Sequence, residues 1–140
     1  MKVSARCDYA CKALLELSLH WPNKGPLQVH LISKRQKIPM RYLVQILIQL
    51  KNMGLVESMR GKEGGYNLSM PPAKINLGQA IRRISGPLLP LAQSAVSKGS
   101  VFREIWNEAE AAMANVLDEI TFEDIAKRVK EIEGALAYQI

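Results

Sequence analysis

The sequence predicts a mainly α-helical protein with one small β-hairpin and one long helix toward its C-terminus. Apolar residues recur every three or four positions through most of the chain, which is the spacing of amphipathic helices. Over residues 55–59 and 66–69 the spacing changes to two, which is the spacing of strands. The chain has 140 residues, of which 48% are hydrophobic and 23% are charged. This composition is that of a folded domain and excludes a disordered chain.

The first part of the chain predicts two helices. Ser4 is a suitable cap for a helix over residues 5–20, because its side chain can accept a hydrogen bond from a free backbone N–H. Residues 21–26, rich in proline, asparagine and glycine, then end this helix. A shorter helix is predicted over residues 29–36.

A third helix is predicted over residues 40–52. Pro39 stands where a helix can begin, because the first N–H groups of a helix have no partner within it. The connection from the second helix, through residues 37–38, is therefore tight. Gly54 suits the left-handed residue that ends a helix. The stripe expected to face the core consists of Leu43, Ile46, Leu47 and Leu50.

A β-hairpin follows the third helix. Its strands are predicted over residues 55–59 and 66–69. Between them, residues 60–65 form a glycine-rich tip that carries Arg60 and Lys62. Two prolines after the second strand end the hairpin.

The order helix, helix, short turn, helix and hairpin is that of a winged helix-turn-helix. The short turn holds the third helix outward, where it can enter the DNA major groove, which is about 12 Å wide. The hairpin tip can then reach the neighbouring backbone or minor groove, whose negative potential attracts arginine. We expect residues 1–75 to be a DNA-binding domain and residues 76–140 to form a helical linker and dimerisation region.

The distribution of charge favours the same interpretation. Residues 1–75 carry 12 Lys+Arg and 4 Asp+Glu, whereas residues 76–140 carry 7 Lys+Arg and 9 Asp+Glu. A basic half joined to a slightly acidic half is typical of a protein that meets a polyanion such as double-stranded DNA. Two alternatives stay open: a basic surface that is merely solvated, and a dimeric interaction module whose winged domain binds protein.

Two further short helical segments are predicted around the long C-terminal helix. Asn76 can cap a helix over residues 77–84. Thr121 begins a capping box that starts a last helix. The side chains of that last helix that are expected to face the core are Ile125, Val129 and Ile132.

The long helix is predicted over residues 101–119. A chain this short cannot bury such a helix alone, so we expect a partner helix from a second copy. Its apolar stripe includes small residues, which permit close contact between helices. The predicted dimerisation residues are Val101, Ile105, Ala109, Ala112, Met113 and Val116.

Several function classes are excluded by the sequence. No apolar run approaches the roughly 18–20 residues that a membrane span needs, and the N-terminus lacks the apolar region of a signal peptide. We therefore expect a cytoplasmic protein without a membrane partner. There is no phosphate-binding loop, no Gly-x-Ser-x-Gly motif and no cluster of histidines and acids, so an enzyme is not expected.

Several short motifs resemble those of one known family. They lie in residues 1–14, 41–47 and 54–68, and continue in short stretches to residue 121. On these motifs, about residues 1–126 resemble the Rrf2 family of bacterial transcription regulators (IscR/NsrR/CymR type). The resemblance implies a homodimer that binds a palindromic promoter site. Because a small dimer without an added activation surface can act by occupying a promoter, we expect a repressor.

The resemblance also indicates which residues contact DNA. It places Tyr42 and Gln45 on the family's recognition helix and Arg60 at its minor-groove arginine. A core position for Tyr42 and a merely solvated one for Gln45 stay open. Val44 departs from the family, which often has Glu there, and can make only apolar contacts, for instance with a thymine methyl. The expected DNA-binding residues are Gln28, Arg41, Tyr42, Gln45, Arg60, Gly61, Lys62, Gly64 and Gly65.

The segment that carries the cofactor in many family members differs here. Those members hold an iron–sulfur cluster through three cysteines placed before the long helix. In this chain residues 88–100 contain no Cys and no His, and thiolates are the usual cluster ligands. A family-type cluster is therefore not expected, and the one alternative metal site left open is at Cys7 and Cys11.

Cys7 and Cys11 are the two cysteines of the chain and lie one turn apart on the first helix. Their Cβ atoms are expected about 5–6 Å apart, whereas a disulfide needs about 3.5–4.5 Å. Three interpretations stay open. The first is that the thiols are simply buried. The second is that they sense redox state, with pairing across the dimer as one route. The third is that, with Asp8, they contribute to a metal or cluster site that the partner subunit completes.

Overall fold

The computed structural model describes residues 2–22 and 25–138. Met1, Asn23 and Lys24, which belong to the predicted opening motif and first helix break, lie outside these ranges, as do residues 139–140. The elements, in chain order, are α1 (Ala5–Leu19), α2 (Val29–Gln36), α3 (Met40–Asn52), β1 (Val56–Met59), β2 (Gly65–Leu68), α4 (Leu77–Ser85), α5 (Val101–Leu117) and α6 (Phe122–Tyr138). The predicted fold class is confirmed, and the predicted bounds through α5 are correct to within two residues.

Local hydrogen bonds fix the ends of the helices. The Ser4 hydroxyl accepts a hydrogen bond from the Cys7 backbone N–H at 3.1 Å, as expected for the cap of α1. At the start of α4, the Asn76 side chain accepts one from the Gln79 N–H at 2.7 Å. Lys37 adopts a left-handed conformation, with φ 55°, in the tight connection between α2 and α3.

The core forms where α1 and α3 pack against each other. The predicted stripe on α3 is buried throughout, and Leu43 and Leu47 are 0% exposed. It shares one hydrophobic cluster with Ala13, Leu14 and Leu17 of α1. Burying a leucine or isoleucine contributes about 1.5–3 kcal/mol to the free energy of unfolding, so this stripe fixes which face of α3 points inward.

The hairpin is antiparallel, and a third segment extends it. Val56 lies opposite Leu68, and Met59 lies opposite Gly65. Leu27, just before α2, pairs with Tyr66 through two backbone hydrogen bonds of 2.9 Å. This pairing, which the sequence did not predict, ties the start of α2 directly to β2.

α4 and the turn between α5 and α6 are joined by backbone and side-chain bonds. The Leu77 N–H donates to the Ile120 carbonyl at 2.8 Å, and the Phe122 N–H donates to the Ile75 carbonyl at 2.9 Å. The Arg82 guanidinium binds the Asp118 carboxylate at 2.7 Å. Phe122 also lies in the same core as α1 and α3. The predicted division of the chain after residue 75 stays a prediction.

The capping box predicted at the start of α6 is formed. The Thr121 hydroxyl accepts from the Asp124 N–H at 3.1 Å, and the Asp124 carboxylate accepts from the Thr121 N–H at 3.0 Å. Hydrogen bonds to the carboxylate, first from the Thr121 backbone N–H and then from the Thr121 side chain, favour its ionised form and lower the pKa of Asp124.

α5 has no buried residue within this single chain. Arg103, Trp106, Glu110, Met113, Ala114 and Leu117 are half-buried on the inner side. The opposite side leaves Val101 65%, Ile105 46% and Val116 62% exposed, and Ala109 and Ala112 are exposed beside them. Of the predicted dimerisation residues, Met113 alone packs partly against the core.

One expectation for α6 is wrong for the single chain. Ile132, predicted to lie inside, is 61% exposed. Ile125 and Val129 are half-buried, and Ala126 is buried. The reason is that residues 130–137 of α6 run past the edge of the core, where no other element of the described chain covers them.

Among the described residues, no helix is both long and apolar enough to cross a membrane.

We expect the substitution Leu47→Ala to lower the free energy of unfolding by about 2–5 kcal/mol, because it leaves a cavity in the core between α1 and α3. Val44→Ala on the exposed side of the same helix is the matched control, since Val44 is 42% exposed. Urea unfolding followed by circular dichroism measures both. Equal losses in the two variants would contradict the proposed orientation of α3.

Candidate nucleic-acid interface

The side of α3 opposite the buried stripe is open to solvent. Arg41, Tyr42, Val44 and Gln45 are all exposed near the start of the helix. Ile48, one turn beyond Val44, is exposed as well. Sequence reasoning missed Ile48, although its spacing of four from Val44 places both on one face. This face is therefore available to a partner along about two turns of the helix.

Tyr42 lies at the surface and not in the core. It is 46% exposed, which excludes the core interpretation. Its ring stacks on that of Tyr9, with 6.3 Å between centroids. The Arg41 guanidinium donates to the Tyr42 hydroxyl at 3.1 Å and lies 4.8 Å from the centre of the ring. These contacts hold the tyrosine and the arginine in place at the start of α3.

The hairpin tip presents cations on an exposed turn. Arg60, Gly61 and Lys62 are all exposed. Gly61 has φ 115°, a conformation that favours glycine, and its carbonyl accepts a hydrogen bond from the Gly64 N–H at 3.0 Å. Within the described residues, the Arg60 and Lys62 side chains make no hydrogen bond or ion pair, so they are free to meet phosphate.

Gly64 and Gly65 are required by close contacts with backbone. A Cβ at Gly64 would overlap the Met59 carbonyl oxygen across the hairpin. A Cβ at Gly65 would overlap the Leu27 carbonyl oxygen, where the chain enters α2. Gly65 therefore permits the pairing of Leu27 with β2, a role that sequence reasoning did not identify.

The predicted contact residues lie on three neighbouring elements. Gln28 occupies the cap position of α2, its side chain makes no capping bond, and it directly follows the Leu27 that pairs with the hairpin. The Lys51 ammonium group donates to the Ser58 hydroxyl at 2.8 Å, which joins the end of α3 to β1. The Arg83 guanidinium of α4 donates to the Met53 carbonyl at the end of α3. The helix and the hairpin thus have a fixed relation to each other.

The predicted sensor residues lie elsewhere, on α1. Cys7 is buried, and Cys11 is half-buried. Burial, together with the neighbouring Cys7 and Asp8, raises the pKa of Cys11 to about 12. Asp8 forms an ion pair with Lys12 at 2.8 Å. A thiol with such a pKa is protonated at neutral pH and is a poor nucleophile, which favours the interpretation of buried thiols.

The segment over residues 88–100 is held by hydrogen bonds. It contains 3-10 turns at Pro90–Gln93 and Ala95–Ser97, which the sequence did not predict. The Ser97 hydroxyl, which bonds to the Leu91 carbonyl at 2.7 Å, fixes the turns to each other. From α5, Arg103 donates to the Ala92 carbonyl at 2.9 Å, and Glu110 accepts from the Leu89 N–H at 2.9 Å.

The comparisons with known proteins agree with this geometry. The chain is 34% identical over 140 residues to the HTH-type transcriptional regulator CymR of Bacillus subtilis, and the match covers 100% of both chains. The solved structure of CymR, the global cysteine regulator of that organism, has a TM-score of 0.81 at 33% identity, over 91% of this chain and 98% of that one. The structure of T. potens IscR has a TM-score of 0.80 at 33% identity, and the match covers 94% of this chain and 90% of that one.

The fold and the relatives of this chain are those of transcriptional regulators of the winged helix-turn-helix class, which are not enzymes. The chain belongs to the Rrf2 family, whose model, described as an iron-dependent transcriptional regulator, matches residues 3–128.

The residues of this chain do not fit the iron that the family's description implies. Residues 88–100 offer no thiolate or imidazole. Ser97, one of their hydroxyls, is already bonded to backbone carbonyls. In the described part of the chain, no group of three or more His, Cys, Asp and Glu side chains is arranged to hold a metal ion. We therefore assign no step to iron.

We expect Gly65→Ala to lower the free energy of unfolding by about 1–3 kcal/mol, because the added methyl must displace the Leu27 backbone. Gly134→Ala is the matched control: it lies in open space on α6 and should raise stability by about 0.5–1 kcal/mol. Urea unfolding gives the energies, and hydrogen exchange of the Tyr66 amide reports the pairing. An unchanged exchange rate in Gly65→Ala would contradict this role.

Proposed function

We propose that the protein is a DNA-binding transcriptional repressor that acts as a homodimer on a palindromic promoter site. The observation that carries the proposal is the joint exposure of Arg41, Tyr42 and Gln45 on α3 with Arg60 and Lys62 on the hairpin tip. Both surfaces lie in the basic half of the chain. Winged domains bind DNA with such a helix in the major groove and such a tip beside it.

Each exposed group has a role that its chemistry supports. The Gln45 amide pairs with adenine through two hydrogen bonds, and Arg41 contacts phosphate or a guanine edge. Arg60 enters the minor groove, where a narrow A/T-rich stretch concentrates negative potential. Lys62 neutralises a phosphate, and Gln28 contacts a phosphate at the start of α2. Tyr42 adds a contact to the DNA backbone and holds Arg41 in place.

The choice of operator is influenced by the apolar side chains on the same face. Val44 and Ile48 lie one turn apart and are both exposed. They offer methyl groups where a charged or amide side chain would offer hydrogen bonds. Apolar groups in the major groove recognise the thymine methyl, so we infer a preference for thymine within each half-site.

The partner of α5 in this proposal is α5 of a second copy. The exposed apolar side of the helix includes Val101, Ile105 and Val116, and small side chains at Ala109 and Ala112 allow two helices to approach closely. A two-fold dimer would present two α3 helices to two half-sites of a palindrome. An exposed apolar stripe of this length on a monomer is typical of a protein interface.

The substitution Arg60→Ala is expected to weaken binding of operator DNA roughly tenfold, and most at A/T-rich flanks, because the lost contact lies in the minor groove. Lys62→Ala should weaken binding to all DNA sequences alike. It should also reduce the magnitude of the salt slope, that of log affinity against log salt concentration, by about 1. Fluorescence anisotropy over a salt series measures both, with fragments chosen by genome-wide selection of bound DNA. Promoters of genes for cysteine metabolism are examined first, because CymR is a cysteine regulator.

Arg128→Ala is the control for these variants, since Arg128 is exposed on α6 and far along the chain from the hairpin. Its affinity and salt slope should match those of the unsubstituted protein. Each neutralised phosphate should contribute about −0.9 to the salt slope. Two results would refute DNA recognition: equal affinity for promoter and random DNA, or a salt slope near zero.

The variant Ile105→Asp should weaken dimerisation at least about a hundredfold, because it buries an unpaired carboxylate in the helix contact. Ala111→Asp is the control, since Ala111 is exposed on a different side of α5, outside the apolar stripe. Sedimentation equilibrium gives the dissociation constants. A monomeric unsubstituted protein, or equal effects of both variants, would contradict dimerisation through this face.

A further inference from the structure

A cavity lies between α1 and α3, beside the proposed DNA surface. Its volume is about 460 Å³, and it is lined by Ala5, Arg6, Tyr9, Tyr42, Gln45 and Ile46. We propose that it binds a small planar aromatic carboxylate, and that this ligand releases the protein from DNA. The binding step stands on the cavity alone, whereas the release step rests on the proposed function.

The shape of the cavity favours a planar apolar ligand. Ile46, which belongs to the buried stripe of α3, forms part of its lining, and Ala5 leaves space on the side of α1. The stacked rings of Tyr9 and Tyr42 add aromatic surface with an interplanar angle of 23°. Small-molecule sites are typically apolar clefts of about 300–1,000 Å³ with a few polar groups, and aromatic walls stack well on a flat ring.

The charge of the cavity favours an anion. Arg6 is exposed at the cavity and, within the described residues, makes no hydrogen bond or ion pair. The nearest acid in the sequence, Asp8, is already paired with Lys12 at 2.8 Å and does not neutralise it. A guanidinium binds a carboxylate through two parallel hydrogen bonds, a geometry that also orients the ligand. The Gln45 amide adds a hydrogen-bonding group to the lining.

The position of the cavity couples the ligand to DNA. Tyr42 and Gln45 line it and also belong to the proposed DNA-contact set. A ligand that contacts the Gln45 amide occupies the group needed for a base edge, so ligand and DNA exclude each other. By linkage, the ligand then weakens DNA binding by the same factor as DNA weakens ligand binding.

The direct test uses 2-naphthoate as the probe and the full chain without DNA. Isothermal titration should give saturable binding of one 2-naphthoate per chain, and two-dimensional NMR should show shifts at the Gln45 side-chain amide. The neutral isostere 2-naphthamide should bind at least about tenfold more weakly, because it forms no charge-assisted hydrogen bonds with Arg6. Equal binding of the two probes, no saturation at millimolar concentration, or shifts confined to other regions would overturn the proposal.

Two variants locate the probe in the cavity. Arg6→Gln should weaken 2-naphthoate at least about tenfold and leave 2-naphthamide unchanged, whereas Arg128→Gln on α6 should change neither. Ala5→Trp fills the cavity from an exposed position and should prevent binding of both probes. Circular dichroism verifies that each variant is folded. Unchanged affinity for 2-naphthoate in folded Arg6→Gln and Ala5→Trp would refute the site.

The release step is measured separately by fluorescence anisotropy on operator DNA. 2-Naphthoate should release DNA at concentrations set by its own dissociation constant, and Arg128→Gln should behave like the unsubstituted protein. Saturable 2-naphthoate binding without release would overturn the coupling and leave the cavity as a ligand site. Absence of operator binding would refute the proposed function, while the titration without DNA would still decide the ligand site.

Discussion

The arrangement of the groups that we propose to contact DNA depends on one contact, the packing of the α3 stripe on α1. Leu43 and Leu47 are fully buried there, and each contributes about 1.5–3 kcal/mol. A rotation of α3 about its axis would expose both leucines. The free energy of burial lost in this way exceeds what a new contact of any single surface residue would contribute. The orientation of Tyr42 and Gln45 toward solvent is therefore a consequence of the core and does not depend on a ligand.

Hydrogen bonds outside the core link the hairpin to its neighbours, and α4 to the end of α3. Leu27 pairs with Tyr66, Lys51 donates to Ser58, and Arg83 donates to the Met53 carbonyl. Through these contacts the hairpin is bonded to the start of α2 and to the end of α3, and the end of α3 is bonded to α4. α4 is in turn bonded to the turn between α5 and α6 through Arg82 and Asp118. The C-terminal helices are thus linked to α3 through α4.

The sequence predicted the features that local chemistry controls. Caps at Ser4, Asn76 and Thr121, the α3 stripe and the glycine-rich tip all depend on residues close together in the chain. The pairing of Leu27 with Tyr66 could not be predicted, because it joins segments far apart. The exposure of Ile132 depends on where the core ends, which periodicity does not reveal. The outward face of α3 was predictable, whereas the α1–α3 cavity arises from two helices at once.

Residues 88–100, where the family resemblance places a cluster, contain no Cys or His, so in our proposal a signal acts elsewhere in the chain. Residues 88–100 are held by Ser97, Arg103 and Glu110 through hydrogen bonds that oxidation does not alter. A redox signal would have to act at Cys7 or Cys11, where burial and a pKa raised to about 12 at Cys11 oppose reaction. The cavity beside Arg6, by contrast, is open to solvent and contacts α3 directly. In our proposal a ligand there reaches Tyr42 and Gln45, which line the cavity, without a change of fold. The route from a chemical signal to the proposed DNA surface therefore passes through α1.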